Sequence, residues 1–162
     1  MKIFITGSSG FIGLHLSKKL LEKGHMVHGF DSMNTYYDVK LKKSRYQILK
    51  KYKNFSFTKG KLENQKILRK SILKFQPRII IHLAAQAGVR YSIKNPRTYL
   101  DSNIIGTYNI IEFAKKANVK HLLIASSSSV YGANKKIPFK ETDKTDSQLS
   151  IYAATKKSTE SL

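Results

Sequence analysis

A chain of 162 residues supports one domain that buries about 70% of its unfolded surface, which argues against a second independent domain. It has no cysteine, which excludes disulfides and thiolate metal sites, and its five histidines stand at no metal-ligand spacing, so no metal is expected. Thirty Lys and Arg against ten Asp and Glu leave a net charge of +20. The cations are mostly lysines scattered over nearly every predicted helix, a compositional drift rather than a nucleic-acid-reading patch; only weak adhesion to nucleic acid at low salt is expected. No apolar segment approaches the length of a membrane span, and the short apolar run after Lys2 is broken at Thr6 to Ser9 without a cleavage site. A cytoplasmic chain with no membrane partner is the expectation.

The first predicted element is a buried parallel strand, Lys2 to Thr6, rich in β-branched and aromatic residues. It runs into Gly7-Ser8-Ser9-Gly10-Phe11-Ile12-Gly13 and then a helix with Leu14, Leu16, Leu20 and Leu21 on a broad apolar face. In a strand-turn-helix of this kind Gly7 permits the tight turn. Gly10 clears the approach of a pyrophosphate, and Gly13 lets helix and strand pack closely. The helix start then offers unpaired N–H groups and a positive dipole end to phosphates. Asp31 falls 24 residues after Gly7, at the end of the second strand Val27 to Asp31, where a carboxylate accepts from both ribose hydroxyls and repels a 2′-phosphate. The pattern therefore predicts NAD rather than NADP.

A polar loop from Ser32 to Asp38 leads to a lysine-rich helix, about Val39 to Lys53, with Leu41, Tyr46, Ile48 and Leu49 as inward candidates. A third strand is expected over Phe55 to Thr58, a helix over Gln65 to Phe75, and a fourth strand over Ile79 to Ala85. The fourth shows no polar alternation, as a strand buried on both faces should. One long helix is expected from Pro96 to Ala117, with Tyr99, Asn103, Thr107, Ile110 and Ile111 inward, then a fifth strand from His121 to Ala125. His25 and His28 are assigned to the turn between the first helix and second strand. Alternating strands and helices make an α/β doubly wound parallel sheet, whose ligands bind at the carboxyl ends of the strands.

Past the fifth strand come Ser126-Ser127-Ser128-Ser129-Val130-Tyr131-Gly132, then the loop to Ser150, then Tyr152-Ala153-Ala154-Thr155-Lys156. Tyrosine and lysine at i and i+4 share one helix face. A phenol beside an ammonium and an oxidised nicotinamide is biased toward the phenolate, a base able to take a proton from a substrate hydroxyl while hydride leaves the same carbon. A serine hydroxyl from the strand end completes the hydrogen bonding around that oxygen.

The stretches GSSGFIG at Gly7, DSMNTYYDVKLKKSR at Asp31, HLAAQAGVRYS at His82, NPRTYLDSNIIGTYNIIE at Asn95, SSSSVYGANKKIPFKETD at Ser126 and YAATKK at Tyr152 together resemble the amino-terminal half of an extended short-chain dehydrogenase/reductase. The resemblance is to the NAD-dependent sugar-nucleotide epimerases and dehydratases, and within them to UDP-glucuronate 4-epimerases. It implies a Rossmann-type NAD-binding domain spanning residues 1–162 and a nucleotide-sugar substrate, UDP-glucuronate going to UDP-galacturonate through a 4-keto intermediate. It also implies Tyr152 as base, Lys156 lowering its pKa and binding the nicotinamide ribose, and Ser127 as hydroxyl partner. Along the cofactor it places Gly7, Gly10, Phe11, Ile12, Gly13, Asp31, Leu83, Ala84, Ala85 and Gln86, with Asn103 behind the nicotinamide. Near the substrate it places Arg90, Ser92, Ser127 and Ser128.

Two departures accompany it. Gly60-Lys61-Leu62-Glu63 carries a lysine where relatives usually carry the aspartate that accepts from the adenine amino group, and a lysine cannot accept. Measured against a family member, the chain also stops about halfway, and the expectation is an incomplete domain without the carboxy-terminal substrate domain. A homodimer, or a complementing carboxy-terminal half, is the expected partner. The competing readings are a non-catalytic NAD-binding module or half of a split enzyme, and a 4,6-dehydratase. Against the dehydratase, Ser128 and Ser129 stand where its acidic pair would be.

Overall fold

The computed structural model describes residues 1–162. Five strands, β1 (Lys2–Thr6), β2 (Met26–Asp31), β3 (Phe55–Lys59), β4 (Ile79–His82) and β5 (His121–Ile124), form one parallel sheet in the order β3-β2-β1-β4-β5. The reversal of direction at β1 makes the crevice above its carboxyl end the switch point of a doubly wound fold. Helices α1 (Phe11–Glu22) and α2 (Val39–Lys50) cover one face and α3 (Gln65–Phe75) and α6 (Gly106–Lys116) the other.

The apolar run of β1 explains the two layers. Ile3 and Ile5 point to one face and pack with Leu14, Leu21, Val27 and Leu49. Phe4 points to the other and packs with Phe30, Leu68, Ile72, Ile80, Ile110 and Phe113. A period of two on a strand buried on both sides splits a continuous hydrophobic run into two cores. Each fully buried Phe, Ile or Leu contributes about 1.5–3 kcal/mol.

Several elements differ from the sequence expectation. α2 ends at Lys50, and its inward positions are Lys42 and Leu49, while Leu41 and Ile48 are exposed. β4 stops at His82 and β5 at Ile124, the residues beyond each leaving the ladder as loops. His28 lies inside β2, in keeping with the Val27 to Asp31 strand and not with its assignment to the turn before it. It stacks between Phe4 and Phe75, with Ser56 and Thr58 hydroxyls on its ring nitrogens at 2.7 and 3.0 Å.

An unanticipated short helix, α4 (Val89–Lys94), follows β4. The long helix begins at Pro96 as α5 (Pro96–Tyr99), widens into a π-helical segment over Leu100–Ile105, and resumes as α6. Tyr99, Asn103 and Thr107 all face inward, and residues four apart would drift around a helix of 3.6 residues per turn. The wider π turn offsets that drift and keeps all three on one line. Ile110 is fully buried below them and Ile111 is half-buried. The last elements are a 3₁₀ turn, Ser128–Tyr131, and α7 (Ile151–Ser161), capped by the Ser150 hydroxyl accepting from Ala153 N–H. No helix is long and apolar enough to cross a membrane.

Candidate dinucleotide and sugar site

The loops after β1, β2, β4 and β5 meet at one edge of the sheet. Gly7 turns off β1 with φ of +71°, a conformation that a side chain disfavours. Gly13 packs so closely that a Cβ on it would lie 2.1 Å from the Gly7 carbonyl oxygen. α1 therefore starts directly over the strand end. Its cap residue is Gly10, no side chain caps it, and Phe11 and Ile12 in the first turn are exposed. Free first-turn N–H groups facing solvent above a parallel sheet are an anion cradle, and the residues present fit a pyrophosphate.

Asp31 is almost fully buried at the end of β2. Its Oδ2 accepts from Ser9 N–H at 3.1 Å and its Oδ1 from Met33 N–H at 2.9 Å. The second bond bends the chain back and holds Met33 at φ of +53°. Each carboxylate oxygen keeps a lone pair for a further donor, which fits a ribose diol. On α2, Lys42 is 8% exposed, and its Nζ donates to the Asn34 carbonyl and side-chain oxygens at 3.0 and 2.6 Å. Burial lowers its pKa, the Asp31 charge opposes that shift, and Arg45 adds to it. At the end of β3, Lys61 Nζ stands 3.6 Å from Glu63, so that Glu63 is engaged with the lysine.

After β4 the chain lines the same crevice with Leu83 and Ala84 half-buried, Ala85 exposed and Gln86 buried. Its course is set by groups the sequence reading passed over. Thr6 Oγ1 accepts from both Leu83 and Ala84 N–H, at 3.1 and 3.0 Å, so its own hydrogen goes to His82 Nδ1 at 2.7 Å. His82 is then the Nε2–H tautomer and donates to Thr107 Oγ1 at 3.0 Å. Burial, with Lys156 adding, pushes the His82 pKa down to about 3, so the ring is neutral. The signal was available: a threonine and a histidine closing otherwise apolar strands need buried partners.

Asn103, on the π segment, is 1% exposed. Its Nδ2 donates to Gln86 O at 3.1 Å and to Thr155 Oγ1 at 3.0 Å, and its Oδ1 accepts from Gln86 N–H at 2.8 Å. Both donors are spent on the protein, so Asn103 fixes the β4 loop against α7. Ser92 is fully buried, with its hydroxyl donating to Val89 O at 2.6 Å one turn back in α4. Arg90, two residues earlier, is exposed.

On the β5 side, Ser127 Oγ accepts from Ser129 N–H at 3.2 Å and makes no hydrogen bond to Tyr152, while Ser128 is exposed. α7 packs against the 3₁₀ turn, bringing Tyr152 and Lys156 to the strand end. Tyr152 is half-buried, its ring edge-on to Tyr99 at 6.0 Å. Lys156 is 6% exposed, donates to the Ala125 carbonyl, and has its pKa lowered by burial, with Glu160 opposing. No group of three His, Asp or Glu side chains is placed to hold a metal ion. A groove of about 630 Å³ lined by Lys66, Arg69, Lys70 and Lys116 shares no residue with this site.

The switch-point crevice, the uncapped glycine turn and the Tyr-Lys pair on α7 define a Rossmann-type domain of the extended short-chain dehydrogenase/reductase class. A family model described as GDP-mannose 4,6 dehydratase matches residues 4–162, and the chain belongs to that family. Its relatives include the CapI protein of Staphylococcus aureus, 57% identical over 99% of this chain and 48% of that protein. A probable UDP-glucuronate 4-epimerase of Rhizobium meliloti is 51% identical over 99% of this chain and 47% of its own length. The fold superposes with a TM-score of 0.90 on the UDP-glucuronic acid 4-epimerase of Bacillus cereus in complex with UDP-glucuronic acid and NAD. That structure is 34% identical, with 99% of this chain and 50% of that one covered. The chain thus spans about half the length of the relatives it matches.

Proposed function

We propose that this chain is the dinucleotide-binding half of an NAD-dependent nucleotide-sugar 4-epimerase that interconverts UDP-glucuronate and UDP-galacturonate. The observation that carries the reading is the meeting, at one sheet edge, of an uncapped glycine-turn helix with Tyr152 and the buried Lys156. The first-turn amides from Phe11 to Gly13 hold the pyrophosphate, with Gly7 and Gly10 leaving room for it. Asp31 accepts from the adenosine ribose, and Leu83 to Gln86 line the nicotinamide side with Asn103 fixing their position. Lys156 holds the nicotinamide ribose, sharing its ammonium with the Ala125 carbonyl.

Tyr152 takes the proton of the sugar C4 hydroxyl, with Ser127 hydrogen-bonded to the same oxygen, and returns it after the sugar has turned over. NAD bound there would supply a reversible acceptor for the C4 hydride, so that no net redox change results. Ser128 and the exposed Arg90 are the groups for the anionic sugar. The serines after Ser127 favour epimerisation over dehydration, because water elimination needs an acid and a base and a hydroxyl serves poorly as either near neutrality.

Calorimetry with NAD, followed by incubation with UDP-glucuronate and NAD and analysis of the sugar by NMR, tests the reading. The chain is assayed alone and with the carboxy-terminal half of a relative. Binding of NAD, with UDP-galacturonate formed in at least one arm, is expected. No binding at millimolar NAD would sink the reading, and binding without epimerisation in either arm leaves a non-catalytic NAD module instead. Tyr152→Phe is expected to retain NAD binding and to lower the epimerisation rate by about 10²–10⁴-fold.

A further inference from the structure

In the sheet, β2 and β4 flank β1. A contact between the chain leaving β2 and the chain leaving β4 therefore joins the loops on either side of β1 at the carboxyl ends of the strands. The structure has such a contact. Tyr36, in the loop after β2, places its ring 4.8 Å from that of Tyr91 on α4 and 4.6 Å from that of Tyr37. Its hydroxyl lies so near Gly88 that a Cβ there would fall 2.2 Å from the oxygen.

Both abutments are fixed from within the protein. On the β2 side the buried Lys42 ammonium holds Asn34 through its carbonyl and side-chain oxygens. On the β4 side the Tyr99 hydroxyl donates to the carbonyls of Ala87 and Gly88, at 2.7 and 2.6 Å, and the Tyr99 ring lies 6.3 Å from that of Tyr91. Between the two loops themselves runs no hydrogen bond or ion pair, only the packing of aromatic rings. The span is weaker than its supports, which is how a strap that opens as a unit is built.

We propose that Tyr36 and Tyr91 form a strap across the pyrophosphate of the bound dinucleotide, which enters and leaves only when the two rings part. Tyr36 is thus a positioning residue that makes the dinucleotide a retained group rather than an exchanging one. The proposal rests on the dinucleotide reading above and deepens it, since a reaction that returns its hydride has no need to exchange cofactor at each turnover.

Stopped-flow fluorescence of NADH on the full chain tests the strap. Binding rates come from mixing, and release rates from a chase with excess NAD. Tyr36→Ala is expected to speed both binding and release at least tenfold, with Kd moving less than threefold. Tyr36→Phe, which keeps the ring, stays near wild type, and adding Tyr91→Ala to Tyr36→Ala gives no further acceleration. Faster release with an unchanged binding rate makes Tyr36 a direct ligand contact and overturns the strap, as does an unchanged release rate.

A second variant guards against misfolding of the first. The chain has no cysteine, so Tyr36→Cys with Tyr91→Cys offers only one pair of thiols to a short bis-thiol crosslinker. Crosslinking after loading is expected to slow NADH release more than tenfold, and crosslinking before loading to block uptake. Exchange that ignores the crosslink overturns the proposal. A wild-type chain that binds no NADH at millimolar concentration removes the dinucleotide reading and the strap together, an outcome distinct from binding with unaltered exchange.

Discussion

Two buried histidines give the residue scale its clearest consequence. His28 and His82 are held neutral, their pKa values pushed down by burial to about 4 and about 3, with Lys74 and Lys156 respectively adding to the effect. In the unfolded chain each titrates near 6.5. Their contribution to stability is therefore complete above pH 6.5 and is lost as pH falls from there toward 4 and 3, because the unfolded state takes up protons that the folded state refuses. Carboxylates titrate lower, so the window from pH 6.5 to 5 isolates the histidines. Urea unfolding should show a midpoint that falls across that window, with the unfolding free energy dropping by about 1 kcal/mol or more per histidine for each pH unit once protonation of the unfolded state is complete. A midpoint that stays level from pH 7 to 5 contradicts the neutral assignment. Gly13 makes a sterically simpler case: Gly13→Ala drives a methyl to 2.1 Å from Gly7 O and should cost about 1–3 kcal/mol in the same assay.

Among the elements, the π segment carries most of the organisation. Asn103 spends its amide on both main-chain groups of Gln86 and on Thr155, so one side chain couples the β4 loop to α7. Asn103→Leu keeps the volume and orphans the buried Gln86 N–H and C=O, each worth about 1–3 kcal/mol when left unpaired. Hydrogen exchange should rise at Gln86 and in α7 and remain unchanged in β2 and β3; uniform loosening would make Asn103 a general stability residue instead. This junction also marks where sequence reading stops. The strands, α1 and α3 were legible because period and apolar runs specify them locally, and the positions of the glycine turn, Asp31, Tyr152 and Lys156 because their spacing combines with the strands and helices that carry them. The π turn was not, since its wider winding follows from three inward residues meeting partners far along the chain. Leu41 fails for the same reason: hydropathy puts it inside, but Lys42 takes the inward position and gives its ammonium to Asn34. The Thr6–His82–Thr107 chain depends on three elements that only the folded sheet brings together.

For the whole molecule the unbalanced charge decides the response to salt. Seven of the thirty cations have a carboxylate within 4 Å, and every one of those pairs lies at the surface with a cation at least a third exposed. Pairs of that kind contribute about 0–1 kcal/mol each and weaken as salt screens them. The remaining cations repel one another over the full width of the fold, and screening relieves that repulsion as the Debye length shrinks from about 30 Å at 0.01 M to about 3 Å at 1 M. Relief outweighs loss because the repelling charges outnumber the paired ones. Stability to urea, which adds no ions of its own, should therefore rise with sodium chloride from 0.01 to 0.5 M at constant m value. Sodium sulfate matched in ionic strength separates this effect from the exclusion of salt from apolar surface, which sulfate strengthens more than chloride does. A chloride series that is flat or falling would mean that the paired minority governs the field of the molecule.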